Sequence, residues 1–288
     1  DGLYKKLLQT CVQEGMKVSP RGLDCYEKTF CTMKLGNPRA RIVQNSGRNL
    51  SEAFRAAEFI WMMSGNDSIL NISKYNKNMQ KFSDDGKTLH GAYGPRLRMW
   101  NTDFDQIANV ISLFRKDPDT RQAVMTIFDP SKDLAMFTKD VPCNILLQFL
   151  LRNNCLDLIT YVRSNDLILG WPYDVFHWTM LQELLASQLH VELGEYYSTI
   201  GSMHVYTSDM PLVYNILETP VKNVPMDPGP SVNNLIELFD TLSNIEKYMR
   251  EKHCSFRKCL GLAYDDHLDD WWEKYFFVPI EKKLGIIV

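Results

Sequence analysis

Residues 141–174 of this 288-residue chain read VPCNILLQFLLRNNCLDLITYVRSNDLILGWPYD. Within this stretch, Ile145–Leu151 is an almost continuous apolar run and Leu156–Val162 alternates in polarity, with two asparagines between them. The pattern predicts a buried strand, a turn and a second strand. Cys143 stands just before the first strand, and the polar run 163–166 follows the second. Reactive side chains at the ends of strands indicate a functional site.

The bulk composition is that of a globular protein, with 45% hydrophobic and 23% charged residues. The length fits one large domain or two small ones with a sizeable core, and the absence of internal repeats and low-complexity segments favours a single domain over residues 1–288. A net charge of −3 gives no electrostatic reason to expect a nucleic-acid polymer or an anionic membrane as partner. A small anion needs only a local cluster of arginines, so it remains a candidate ligand.

The seven cysteines are odd in number and none forms a C-x-x-C pair. This argues against a disulfide framework or a zinc site and favours a reducing compartment. No apolar run approaches about 20 residues and the start shows no signal-peptide pattern, so we expect a cytoplasmic protein. The H-E-x-x-H, G-x-G-x-x-G and G-x-x-x-x-G-K motifs are absent, and we expect no metal ion.

Hydrophobic periodicity predicts further helices and strands, in the mixture typical of an α/β or α+β domain. The predicted helices are Leu3–Glu14, Asn49–Met63, Asp103–Arg115, Trp171–His190 and Val232–Lys252, and the predicted strands include Glu27–Lys34, Ala123–Phe128 and Ile200–Tyr206.

Several polar residues have an ordinary explanation beside a functional one. Glu58 either faces solvent on an amphipathic helix or is a carboxyl held in apolar surroundings, where burial would raise its pKa toward acid–base use. Arg121 is either a solvated loop charge or an anion ligand, and Asp174 either caps a helix or belongs to a site. His204 and Tyr206 lie on the same side of a strand because they are two apart, although a histidine in a strand is more often structural.

Cys143 is the candidate nucleophile because it lies at a strand start between Pro142 and Asn144, outside any apolar stripe. A nucleophilic thiol needs cations nearby to favour the thiolate. A papain-like pairing of the cysteine with a histidine is the other option, but the local signature of that family is missing.

A series of fragments spread over most of the chain belongs together: Glu58–Trp61, Tyr93-Gly94, Asp117–Arg121, Pro142-Cys143, Gln148-Phe149, Arg163–Asp166, Leu169–Asp174, Gln182-Glu183 and His204–Tyr206. In kind and order they resemble the thymidylate synthase family, whose members include the pyrimidine nucleotide hydroxymethylases. The resemblance implies a thymidylate synthase-like α/β (α+β) fold, with a twisted mixed sheet flanked by helices. It also implies that one face of the sheet forms a dimer interface.

The resemblance implies a reaction as well. Cys143 would be the thiolate that adds to C6 of a pyrimidine, so that C5 attacks the one-carbon unit of 5,10-methylenetetrahydrofolate, the co-substrate. Loss of tetrahydrofolate then leaves an exocyclic methylene. Glu58 would act as acid–base, through ordered water, near the substituent on C4 of the ring.

The other matching positions imply binding roles. Guanidinium groups suit a phosphate dianion through forked hydrogen bonds, and they would also favour the thiolate of Cys143. Arg121 matches an arginine that the family donates across its homodimer interface. The implied nucleotide-binding residues are Arg21, Arg121, Arg163, Ser164 and Asn165, with His204 and Tyr206 on the sugar hydroxyl, and the implied folate-binding residues are Asp166, Gly170 and Tyr93.

The chain departs from thymidylate synthases where they read the base. Their asparagine accepts from N3–H of uracil and donates to O4, whereas this chain has Asp174. A carboxylate accepts from N4–H of cytosine and, when N3 is protonated, from N3–H as well, which would stabilise a cationic ring as Cys143 adds. Against uracil O4 it would place acceptor against acceptor, a buried mismatch that costs on the order of 1–3 kcal/mol. We therefore expect a cytosine base and a direct role for Asp174.

The chain differs from thymidylate synthases at three further points. Asn144 replaces a histidine, Gln122 replaces a second arginine, and Met62–Met99 contains no tryptophan, which synthases place over the folate. Without that shield water reaches the exocyclic methylene, so the expected activity is (deoxy)cytidylate 5-hydroxymethylation, giving 5-hydroxymethyl-(d)CMP. A CMP-specific hydroxymethylase, a dCMP methylase, a thymidylate synthase acting on dUMP and a silent nucleotide-binding paralogue stay open as alternatives.

Overall fold

The computed structural model describes residues 1–135, 137–263 and 268–286. The helices are α1 (Gly2–Glu14), α2 (Glu52–Met63), α3 (Ile69–Ile72), α4 (Tyr93–Arg98), α5 (Gln106–Lys116), α6 (Pro130–Asp133), α7 (Trp171–Leu189), α8 (Met210–Glu218), α9 (Leu235–Lys252), α10 (Phe256–Ala263), α11 (Asp270–Trp272) and α12 (Val278–Leu284). The strands are β1 (Met16–Val18), β2 (Cys25–Leu35), β3 (Val124–Thr126), β4 (Asn144–Arg152), β5 (Cys155–Asp166) and β6 (Glu192–Tyr206).

The strands form one mixed sheet in the order β1-β2-β6-β5-β4-β3. β4 and β5 are an antiparallel hairpin whose two-residue turn is Asn153-Asn154, with φ of 51° and 60°. Left-handed backbone at both positions is what the turn type favoured in such hairpins requires, and asparagine tolerates it. β5 then pairs in parallel with β6, and α7 lies between them in sequence, as a parallel connection needs a crossover. The expected mixed sheet with flanking helices is confirmed.

The described chain divides into two compact units, each assembled from separate stretches of sequence. The first comprises residues 1–50, 116–124 and 143–228, and the second comprises residues 51–115, 125–142 and 229–288. The single catalytic domain expected over residues 1–288 stays a prediction.

In the first unit, α7 is buried along almost its whole length and packs against β5 and β6. Gln182 ties the helix to the sheet by donating to the carbonyls of Leu156 and Glu195, at 2.8 and 3.0 Å. On the same helix, the buried Glu183 accepts from the fully buried guanidinium of Arg41. Buried ions of opposite charge that are hydrogen-bonded to each other hold an element in one position.

In the second unit, α2 is buried from Ala53 to Met63 except for one partly exposed residue, Glu58. Ser51 caps the helix by accepting from the backbone N–H of Phe54. Phe59 packs edge-on against Phe239 of α9 and against Phe276, with ring centroids 6.1 and 5.6 Å apart. The helix that carries Glu58 is therefore fixed by aromatic packing on its far side.

Some bounds differ from the sequence-based expectation. The second strand of the hairpin runs four residues further, through Asp166, and β6 begins at Glu192 and not at Ile200. The glycines and proline of Gly91–Arg96 are typical of a turn, yet the chain is helical from Tyr93 onward. Gly94 has a packing reason, because a Cβ there would lie 2.8 Å from the carbonyl oxygens of Met62 and Asn66.

Candidate active site

Cys143 and Arg163 lie side by side at the open end of the β4–β5 hairpin. The backbone N–H of Arg163 donates to the carbonyl of Cys143 at 2.9 Å, and an Nη of the guanidinium lies 3.9 Å from the cysteine Sγ. Cys143 is partly exposed and Arg163 is exposed. The structure thus places an accessible thiol next to a cation, the surroundings that a nucleophilic cysteine needs.

Asp174 lies in the first turn of α7, and the side-chain amides of two asparagines contact its carboxylate. Asn144 Nδ2 donates to Oδ2 at 3.2 Å, and Asn165 Nδ2 lies 3.4 Å from the same oxygen. Asn144 is fully buried, and its own Oδ1 accepts from the indole N–H of Trp178 at 3.0 Å. The indole can only donate, so the amide of Asn144 has one orientation, with its nitrogen toward Asp174.

The Asp174 carboxyl keeps part of its surface open, but protein packs densely around it. Burial raises its pKa to about 7, against the opposing effect of the hydrogen bonds from Asn144 and Asn165. Near neutral pH the group is therefore divided between a carboxylate, which only accepts, and a neutral acid, which also donates. The expectation that uracil meets acceptor against acceptor holds only for the ionised form.

His204 and Tyr206 are neighbours on one side of β6, as predicted, with ring centroids 5.2 Å apart. Burial raises the pKa of the Tyr206 hydroxyl, the Asp166 carboxylate adds to the rise, and the Arg21 guanidinium opposes it. Arg21 lies in an exposed turn with φ of 56°. The charges of Arg21 and Asp166 thus both act on the hydroxyl of Tyr206.

Asn165 Oδ1 and His204 Nδ1 are among the buried polar atoms of this unit that have no hydrogen-bond partner among the described residues. Buried polar atoms are nearly always paired with protein, water or ligand. Asn165 and His204 sit on adjacent strands, in neighbouring rungs of the β5–β6 ladder. Both atoms are suited to meeting a polar ligand at this edge of the sheet.

The remaining predicted residues of the first unit are placed as follows. Ser164 is partly buried in β5, opposite Ser202. Asp166 accepts from the backbone N–H groups of Ile168 and Leu169 at 2.7 and 3.1 Å, which shapes the loop leading to Gly170 and α7. Arg121 is exposed in the turn before β3, and its described contacts do not connect its guanidinium with Cys143 or Arg163.

Glu58 and Tyr93 belong to the second unit and are both partly buried. Glu58 is the one partly exposed residue between Ala53 and Met63, and its neighbours on every side of α2 are buried, so its role stays a prediction. Tyr93 opens α4, which also carries the buried Arg96, bidentate to Asp133 at 2.7 and 2.8 Å.

Trp178 was missed as a site residue, since its position predicted only part of the apolar stripe of α7. The signal was its spacing, because a residue four positions after Asp174 lies on the same helix face. Its partner Asn144 is 34 positions away in sequence, so only the folded chain brings the three together.

The site combines an accessible thiol beside a guanidinium with a carboxyl whose oxygens can pair with the edge of a base. These are the groups that a transferase working by nucleophilic addition to a base needs. Sequence comparison agrees with this class. A sequence model of thymidylate synthase matches residues 2–255. The chain is 36% identical over 287 residues to the deoxyuridylate hydroxymethyltransferase of Bacillus phage SP01, covering 93% of this chain and 73% of that protein.

Two other deoxyuridylate hydroxymethyltransferases match over shorter lengths. The one from Pseudomonas phage M6 is 33% identical over 175 residues, which cover 59% of this chain and 48% of that protein. The one from Delftia phage PhiW-14 is 32% identical over 206 residues, 67% of this chain and 57% of that protein. The chain thus spans about half the length of these two relatives and about three quarters of the first.

This chain belongs to the thymidylate synthase family. It is a folate-dependent one-carbon transferase acting on a pyrimidine nucleotide, and 5,10-methylenetetrahydrofolate is the co-substrate of that family. In residues 1–135, 137–263 and 268–286, no cluster of histidine, cysteine and acidic side chains is arranged to hold a metal ion. None of the helices in these ranges has the length and apolar character needed to span a bilayer.

Replacing Cys143 by alanine should abolish exchange at C5 of the pyrimidine, because C5 becomes nucleophilic only after a thiolate has added to C6. We expect tritium release from 5-tritiated nucleotide in the presence of the folate to fall by on the order of 1000-fold or more. Cys155→Ala is the matched control, since Cys155 is equally partly exposed but lies at the other end of the hairpin. Equal losses in the two variants would show that Cys143 is not the nucleophile.

Titration of Asp174 should be visible in kcat/KM. Each base edge presents one donor and one acceptor, so pairing with a carboxyl requires one added proton. The raised pKa keeps Asp174 neutral below about pH 7 and ionised above it, so kcat/KM should decline as pH rises through that value. In Asp174→Asn, assayed with dUMP, the declining limb should disappear because an amide does not titrate. A limb that persists in this variant would assign the titration to another group.

Proposed function

We propose that this chain is a pyrimidine nucleoside monophosphate 5-hydroxymethylase that acts on cytidylate, with dCMP or CMP as substrate. The observation that carries the base assignment is the partly buried carboxyl of Asp174, held by Asn144 at the position where thymidylate synthases read the base with an asparagine. The product would be 5-hydroxymethyl-(d)CMP, formed together with tetrahydrofolate.

Hydroxymethyl transfer, in place of methyl transfer, is supported by two independent facts. The relatives described above carry the name hydroxymethyltransferase. The chain between Met62 and Met99 has no tryptophan to shield the exocyclic methylene. Water then adds to that carbon before the folate can deliver a hydride, and the product gains a hydroxyl.

Cytosine is favoured because its N3 is basic. The single proton that the base pair with Asp174 requires can sit on the carboxyl or on N3 of cytosine, while the other oxygen accepts from N4–H. Uracil has no basic ring nitrogen, so the same proton must stay on the carboxyl and be donated to O4. Cytosine therefore pairs with Asp174 in both protonation arrangements, and uracil pairs in one.

A deoxyuridylate hydroxymethylase is the second candidate, favoured by the names of the relatives. The pKa of about 7 for Asp174 makes it physically open, because a neutral carboxyl can donate to O4 and accept from N3–H. The names also favour deoxyribose as the sugar. Since these relatives belong to phages, we propose the host cytoplasm as the place of action.

We assign the remaining roles as follows. Cys143 adds to C6 and Glu58 exchanges protons near C4, while the guanidinium of Arg163 beside the thiol offers both a phosphate ligand and a stabilising charge. Other proposed ligands are Arg21, Ser164 and Asn165 for the nucleotide, His204 and Tyr206 for the sugar, and Asp166, Gly170 and Tyr93 for the folate.

We also propose a homodimer in which Arg121 reaches the phosphate of the partner subunit. On β5, every second side chain of residues 155–161 is turned away from the buried face, so that Ile159 is partly exposed and Tyr161 exposed. Partly exposed Tyr197 lies beside Ile159 on β6. An apolar sheet face of this kind is the surface that a second copy would cover.

Product masses test the proposed function directly. We expect incubation of CMP, dCMP or dUMP with 5,10-methylenetetrahydrofolate to add CH₂O to the cytidylates in preference to dUMP, whereas methylation would add CH₂. Asp174→Asn should move the preference toward dUMP by about ten-fold or more, because an amide can present a fixed donor to O4. Addition of CH₂ by the wild type would disprove hydroxymethylation, and a wild-type preference for dUMP would replace the cytidylate assignment with the second candidate.

Mixed dimers test the shared site. In a dimer of one Arg121→Ala and one Cys143→Ala subunit, the site that keeps its cysteine receives Arg121 from the other chain, so about half of the wild-type activity should return. Arg163→Ala mixed with Cys143→Ala is the control, since Arg163 lies beside Cys143 in the same chain and no activity should return. Mixtures that behave alike would show that Arg121 does not act across the interface.

A further inference from the structure

The two amides beside Asp174 approach only one of its oxygens. Asn144 and Asn165 both point their nitrogens at Oδ2, at 3.2 and 3.4 Å. An oxygen that already accepts N–H groups is a poor place for a proton, because a hydroxyl there would put hydrogen against hydrogen. When the carboxyl is neutral, its proton therefore belongs on Oδ1.

The position of this proton decides which base fits. Cytosine needs the proton opposite N3 and an acceptor opposite the C4 substituent, whereas uracil needs an acceptor opposite N3–H and the proton opposite O4. The two bases thus require the proton on different oxygens of the same carboxyl. A neutral carboxyl free to carry its proton on either oxygen would accept both bases, and a neutral carboxyl restricted to a single oxygen would accept one.

The restriction depends on Trp178. Its indole N–H donates to Oδ1 of Asn144 at 3.0 Å, and both side chains are fully buried. Without that donor the Asn144 amide could turn over and present its oxygen to Asp174. The proton of the neutral acid would then be favoured on Oδ2, where it could be donated to Asn144.

We propose that Trp178 and Asn144 are positioning residues that select the base by restricting the proton of Asp174 to Oδ1. The proposal deepens the function given above and rests on the placement of Asp174 at the base edge. It does not depend on which base is preferred, because the restriction sharpens the preference in either case.

The test is the ratio of kcat/KM for dCMP to that for dUMP in the full-length enzyme. Trp178→Phe keeps the buried aromatic ring and removes only the N–H, and we expect the ratio to move toward one by about ten-fold. Trp171→Phe is the matched control, because Trp171 is a buried tryptophan of the same helix whose N–H meets the sulfur of Met33, 3.2 Å away. Its ratio should remain that of the wild type.

Asn144→Ser provides a second variant that removes the oriented amide, for use if Trp178→Phe does not fold as judged by circular dichroism. It should move the ratio in the same direction. If a variant is too slow to assay, dissociation constants for dCMP and dUMP, measured by calorimetry on a Cys143→Ala background, replace kcat/KM. A general packing defect would weaken both nucleotides alike and leave the ratio unchanged.

The outcomes separate this proposal from the proposed function. A wild-type preference for dUMP that collapses in Trp178→Phe would support the restriction and overturn only the cytidylate assignment. A wild-type preference for dCMP that survives in both variants would leave the function standing and overturn the restriction. A wild type that uses both nucleotides equally would also overturn it, since no selection would exist to be lost.

Discussion

The register of the β4–β5 hairpin is the constraint on which the candidate site depends. The turn at Asn153-Asn154 sets the register from Arg152 to Leu146, and an irregularity between Leu146 and Asn144 then shifts it, so that Asn144 pairs with Val162 beside the bond from Arg163 N–H to the Cys143 carbonyl. Successive residues of a strand point to opposite faces, so a slip by one residue would exchange the inward and outward sets. In the observed register Cys143 remains accessible and the next residue, Asn144, turns into the interior toward α7. One pairing thus supplies both the thiol beside a cation and the amide that contacts the carboxyl of Asp174.

Burying the side chain of Asn144 has an energetic cost, which its hydrogen bonds offset. Burying an amide without hydrogen bonds is unfavourable by roughly 1–3 kcal/mol. Asn144 avoids this by donating to Asp174 and accepting from Trp178. For Asp174 itself the effects oppose each other, since the start of α7 and two amides favour the charge and burial disfavours it. Burial prevails, and the pKa rises to about 7.

Periodicity was enough to predict the hairpin, the capped helix α2 and the buried helix α7, because each repeats a simple apolar pattern over many residues. It failed at Arg163–Asp166, which continues β5 although four polar residues break the alternation. It also failed at α4, where glycine and proline suggested a turn. Pro95 is tolerated there because the first turn of a helix leaves its N–H groups without partners inside the helix.

For the site, residue types and order were enough to nominate Cys143, Arg163 and Asp174, whereas the network around Asp174 could not be predicted. Trp178 lies four positions after Asp174, a spacing visible in the sequence, but Asn144 approaches both from strand β4. A contact between elements distant in sequence is set by the packing of helix on sheet, and no local pattern encodes it.

An asparagine and an aspartate at the base-reading position differ in how they present hydrogen-bond donors and acceptors to the base. The amide has its donor and acceptor on different atoms, so its orientation alone defines the base edge it fits. The two oxygens of a carboxyl are alike until one of them is protonated, and its neighbours then decide which. In the role proposed for Asp174, the choice of base therefore depends on Asn144, Asn165 and Trp178 as well as on the aspartate. This is why an aspartate, which excludes uracil only in its ionised form, is compatible with relatives named for deoxyuridylate. Discrimination in such a site lies in the hydrogen bonds behind the carboxyl more than in the carboxyl itself.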